Sequence, residues 1–124
     1  MIRNLIVLNG IYDILCALAI LNLFQVSVPI YPHLAMINSG VRTPISDRFF
    51  AYWIFTYGII RLYTNYTMIA LSYYIEAAFI ASEVIHGTIA ADTGFAVILV
   101  CLLMAQLSHY TGNLRFPCNP SLKL

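Results

Sequence analysis

Apolar residues run along the chain in blocks too long for strands or for ordinary surface helices. Four blocks reach the roughly 20 residues that a helix needs to cross a bilayer. They cover about residues 5–24, 49–66, 67–86 and 88–110. The second and third meet at Thr64-Asn65-Tyr66-Thr67, which predicts a tight helical hairpin. The third and fourth meet at His86-Gly87-Thr88. Gly87 suits a helix C-cap there, because a left-handed backbone costs glycine little. The long connection is residues 25–47, where Pro29, Pro32, Gly40 and Pro44 prevent one continuous helix. Within it, the run HLAMI fits a short interfacial turn, and Ser46 or Asp47 is placed to N-cap the second span. Residues 111–124, with Pro117 and Pro120, read as an irregular tail. The pattern predicts an all-α fold in one domain: an integral membrane four-helix bundle with a tight hairpin between spans two and three.

Composition supports a membrane rather than a soluble core. Only 9% of residues are charged and 61% are hydrophobic, against about 25% charged in soluble domains. So few charges do not cover the surface of a soluble protein of this size. The formal net charge of +1 leaves no electrostatic footprint for nucleic acid. Cys16, Cys101 and Cys118 make no C-x-x-C pair, and two of them lie in apolar spans, so a disulfide framework is not expected. The opening run MIRNLIVLNGIYDILCALAILNLF is too long for a signal-peptide core and is interrupted by Asn9 and Asp13. No small-x-small cleavage site follows it, so it reads as a retained first span. Four spans put both termini on the side of the Asn65 turn. Arg3, Arg115 and Lys123 lie there, against Arg42 and Arg48 opposite, a small bias toward termini on the cytoplasmic or matrix-like side.

The charges inside the spans are the main chemical signal. Asp13, Arg61, Glu76 and Glu83 all fall in apolar surroundings. Each costs roughly 2.5–3.5 kcal/mol at mid-helix unless it is paired or reaches the surface. At about 1.5 Å of rise per residue, Arg61 lies roughly 6–8 Å from the Asn65 turn and Glu76 roughly 15 Å. Asp13 lies roughly 12 Å below the same face, counted from Leu5. These three are therefore candidates for one cluster, with the arginine fork between two carboxylates. Arg48 with Glu83 is the second candidate pair, near the opposite face. Glu76 and Glu83, seven apart, share a helix face, and Ala77, Ala78, Ala81 and Ser82 nearby permit close helix packing. Three readings stay open for Arg61: snorkelling to the interface, an internal ion pair, or a transport or catalytic role.

Catalytic and metal constellations are missing from the sequence. His33, His86 and His109 lie in separate segments without H-x-x-x-H or E-x-x-H spacing. No P-loop, G-x-S-x-G or G-x-G-x-x-G occurs. The expectation is a protein that is not an enzyme and carries no metal or cofactor. Tyr31, Trp53, Tyr63, Tyr66 and Tyr110 fit interfacial aromatic belts. Tyr57, Tyr73 and Tyr74 lie deeper and, with Trp53, are the candidate lipid contacts.

Arg48, Phe50, Trp53, Ile60 and Arg61 spell R-x-F-x-x-W-x(6)-I-R, and Ser82-Glu83 opens SEVIHGT, an S-E followed by G-T. Over about residues 48–110 this resembles the ergosterol-biosynthesis scaffold family, small four-span membrane proteins of the endoplasmic reticulum. Here the S-E to G-T spacing is one residue shorter, the first span with Asp13 does not match, and the tail SLKL lacks a lysine-rich end. The resemblance implies a non-catalytic tether for the sterol C-4 demethylation enzymes, with Arg48, Trp53, Arg61 and Glu83 structural.

The leading expectation is thus a membrane scaffold whose partners are other integral membrane proteins and membrane lipids. One alternative is an accessory structural subunit of a large bioenergetic complex, in the mitochondrial inner membrane or a thylakoid. Another is a small transporter or lipid-binding protein using Asp13, Glu76 or Glu83. A transporter requires a hydrated cavity around these acids, whereas a scaffold requires a dry, paired cluster.

Overall fold

The computed structural model describes residues 1–23 and 32–115. Phe24, the loop residues Pro29 and Tyr31, and the tail with Pro117, Cys118 and Pro120 lie outside the described residues. The described chain is all-helical. Helix α1 spans Ile2–Ile20, α2 Pro32–Ala35, α3 Pro44–Tyr63, α4 Tyr66–Ile85 and α5 Ala91–Arg115, with a 3-10 turn at Ser39–Val41.

Local chemistry explains the boundaries. Helix α3 starts at Pro44, earlier than the apolar pattern alone indicates, because Thr43 rather than Ser46 or Asp47 is the N-cap. Thr43 and Ser46 form a reciprocal capping box, and Pro44 fits the first helical position, where its missing N–H is not needed. Asn65 caps α4 by accepting from the Met68 N–H at 3.0 Å. Gly87 follows the end of α4 with φ +76°, a left-handed value that disfavours any side chain. Helix α5 continues to Arg115, so residues 111–115 are helical rather than part of an irregular tail.

Among the described residues, three helices are long and apolar enough to cross a membrane: α1, α4 and α5. Helix α3 has 20 residues but carries Asp47, Arg48 and Arg61. The helices associate as two pairs, α1 with α3 and α4 with α5. Although only Thr64 and Asn65 separate α3 from α4, those two helices touch at few positions. The close pairing expected between the second and third spans is thus taken over by α1 and α5.

Each pair runs antiparallel. Arg3 donates to the Leu62 carbonyl at 3.1 Å, linking the start of α1 to the end of α3. Further along, Gly10 and Gly58 let the two backbones approach: a Cβ on Gly58 would lie 2.9 Å from the Gly10 carbonyl oxygen. Ala17, Ile20, Ala51 and Ile54 bury the next layer together with Leu34 of α2. On the other side Tyr66, Ile69, Tyr73 and Ala77 of α4 pack on Cys101 and Ala105 of α5, with Ile6 of α1 completing the cluster. The connection before α3 closes the far end. Ala90 N–H donates to the Met36 carbonyl and Asn38 N–H to the Thr88 carbonyl, each at 2.9 Å. This two-sided clip, an isolated bridge between Ile37 and Ile89, ties the long loop to the α4–α5 turn.

Candidate functional site

The site lies where three helices present polar residues to one buried point. Arg61 comes from the last turn of α3 and is 1% exposed. Its Nη1 donates to Asp13 of α1 and its Nη2 donates to Glu76 of α4. Nη1 also donates to Asn9 Oδ1 at 3.1 Å, and the same oxygen accepts from the Tyr73 hydroxyl at 2.7 Å. The guanidinium carbon sits 3.9 Å from the Tyr73 ring centroid and 5.2 Å from that of Tyr57. Arg61 thus answers two carboxylates, one amide and two aromatic faces. Each satisfied donor offsets the desolvation of a charge removed from water, and the ring faces add cation–π attraction.

Helical periodicity puts these groups on one side. Asn9 and Asp13 are four apart on α1, and Tyr73 and Glu76 are three apart on α4, so each pair shares a helix face. Snorkelling does not describe Arg61, whose side chain turns inward to the carboxylates.

A fourth element enters from the loop. His33 of α2 places Nε2 3.9 Å from Asp13 Oδ1, and its ring lies between those of Tyr12 and Phe50. Burial pushes the His33 imidazole below its ordinary value, so it is a neutral neighbour of Asp13 near pH 7. Asn9 and His33 were left out of the cluster by sequence reasoning, and Tyr57 and Tyr73 were read as lipid contacts instead. For Asn9 the i, i+4 spacing to Asp13 carries the signal. For His33 no local signal exists, because the loop's return into the bundle is a tertiary event.

Arg48 and Glu83 do not come together. Glu83 instead accepts from the Thr88 hydroxyl at the end of α4, and Arg48 is exposed on the first turn of α3. The reason is the splay of α3 from α4 away from the Asn65 turn. A groove of about 590 Å³ opens there, lined by Phe49, Trp53, Phe79 and Glu83 among others. The cation near this end with a carboxylate partner is Arg42, whose Nη2 donates to Asp47 at 2.9 Å.

Of the candidate lipid contacts, Trp53 faces that groove and stacks edge-on against Phe79. Tyr73 and Tyr57 are core residues, 2% and 5% exposed, so they do not offer a lipid-facing surface. Tyr74 is half-buried and its hydroxyl accepts from Gln106 at 2.7 Å, joining α4 to α5. Cys16 and Cys101 are buried free thiols. No group of three or more His, Cys, Asp or Glu side chains suited to a metal occurs among the described residues.

No protein-family model, curated protein or solved structure matches the chain. What the protein does is therefore read from the geometry of its own residues.

Proposed function

We propose that the chain is a four-span, non-catalytic membrane scaffold that holds partner membrane proteins against its outer helix faces. The observation that carries this reading is the way Arg61 is consumed: its charge is spent joining α3 to α1 and α4. An arginine engaged in this way fixes helices to one another, and its cluster also borders a cavity between α1 and α5. Outside the helices the described chain is only short connections, so helix faces are the surface that the described residues offer. On α5 these faces include Leu99, Val100, Leu103 and Leu107, all exposed.

In this reading α3 is the fourth span. Its three charges are tolerable in a bilayer because Arg61 is paired inside, while Asp47 and Arg48 lie at the end of the helix, where they reach the interface. Single cysteines at Gly40 and Tyr63, in a cysteine-free background, should label from opposite sides of sealed vesicles. Labelling from one side would remove α3 from the membrane.

The resemblance to the ergosterol-biosynthesis scaffolds supports an address in the endoplasmic reticulum and sterol C-4 demethylation enzymes as partners in this reading. The test is purification in mild detergent with mass spectrometry of whatever co-migrates on a native gel. Sterol-processing enzymes would support this reading. Subunits of a respiratory, ATP-synthase or photosynthetic complex would replace it with an accessory role in energy conversion. Recovery of the chain alone would sink the scaffold idea.

A further inference from the structure

A second cavity lies directly on the charge cluster. It has a volume of about 460 Å³, within the range of roughly 300–1,000 Å³ usual for small-molecule sites. Its walls are apolar, formed by Leu5 and Tyr12 of α1 and by Val97, Val100 and Met104 of α5. Asp13, Arg61, Glu76 and His33 form its polar end. Helix α1 pairs with α3 and helix α5 with α4, so the cleft follows the seam between the two helix pairs.

The polar end has an excess of formal negative charge. One arginine faces two carboxylates, a formal charge of −1. The arginine engages Oδ2 of Asp13 and Oε2 of Glu76, one oxygen of each carboxylate. Asp13 Oδ1 has His33 Nε2 at 3.9 Å, too long for a hydrogen bond. An uncompensated carboxylate out of water is costly, and either a proton or a bound cation relieves it. An anionic head group would meet two carboxylates; of the Arg61 donors both Nη atoms are engaged, and Nε is buried without a partner. The space is also wrong for a partner helix: one turn of helix with side chains fills about 400–600 Å³, so the cleft holds a single turn.

We propose that the α1–α5 cleft binds an amphiphile with a cationic, hydrogen-bond-donating head, an alkyl amine by chemical class. The head sits against Asp13 and Glu76, and the alkyl chain lies between α1 and α5.

The probes are dodecylamine, dodecanol and dodecanoate, added to the full chain in a neutral detergent and followed by thermal unfolding and native mass spectrometry. Dodecylamine should raise the unfolding midpoint saturably and bind at least tenfold more tightly than dodecanol, and dodecanoate should have no effect. Ala96 lines the cleft from an exposed position of α5. Ala96→Phe should abolish the amine response while leaving the unliganded midpoint in place. Glu76→Gln should erase the preference for amine over alcohol; if that variant does not fold, Ala96→Phe decides alone. Equal responses to the three probes, or an amine response that survives Ala96→Phe, would overturn the proposal. Co-purification of partners is a separate readout, so the scaffold reading and the cleft can fail independently.

Discussion

Arg61 links three helices through one side chain. Removing one member of a buried ion pair costs about 3–5 kcal/mol, because the partner is left charged and dry. Arg61→Leu leaves two carboxylates in that state, so the expected result is a large loss of thermal stability in detergent. An unchanged midpoint would refute the pinning role. Arg61→Lys keeps the charge but loses the planar fork, and should fall between wild type and leucine. The depth of Asp13, Arg61 and Glu76 can be counted from the chain, which is why their meeting is legible in the sequence. The participation of Asn9 and Tyr73 is less so, since an amide and a phenol carry no unpaired charge that demands a partner. Gly58 is a different case. A Cβ there would lie 2.6 Å from Ile14 Cγ1 and 2.9 Å from the Gly10 carbonyl. Gly58→Val should therefore push α1 from α3 and cost about 1–3 kcal/mol, as overpacking does. Disulfide trapping across Ala17 and Ala51, each replaced by cysteine, would report the separation as lost cross-linking.

At the level of elements, the paired helices and the loop clip make separate predictions. Thr43→Ala breaks the capping box and should cost about 1 kcal/mol, with faster hydrogen exchange confined to the first turn of α3. Exchange that rises throughout α3 would mean that the cap holds more than its own helix end. Asn38 donates to the Gly87 carbonyl at 2.6 Å, beside the backbone clip. Asn38→Ala should raise exchange at Asn38 and Ala90 together, since both amides belong to the same bridge. The Arg42–Asp47 pair is exposed on the arginine side and should contribute only about 0–1 kcal/mol in a double-mutant cycle. Helix ends were legible where a turn residue sits beside an apolar run, as at Asn65 and Gly87. The start of α3 was not, because Thr43-Pro44-Ile45-Ser46 extends the helix beyond the apolar block through capping chemistry.

The whole molecule is two antiparallel pairs joined at both ends by small polar devices, the Arg61 cluster and the Met36–Ala90 clip. Between these joints the pairs meet at few places, Trp53 on Phe79 among them, and two cavities lie in the gaps: one between α3 and α4, one between α1 and α5. Glu76→Gln should leave turnover of any co-purified enzyme nearly unchanged while the assembly holds, because in the scaffold reading the acid serves the bundle. A collapse of turnover with assembly intact would give Glu76 a chemical role. The sequence by itself determined the helical class, the approximate helix limits and the depth of the charged residues. These follow from apolar block length and rise per residue, which are local quantities. Which helices pair was decided only in three dimensions. Gly10 against Gly58 and Tyr66 against Gly112 select α1–α3 and α4–α5 by how closely backbones fit, and adjacency along the chain says nothing about fit. The separation of Arg48 from Glu83 and the arrival of His33 beside Asp13 follow from that choice of pairs.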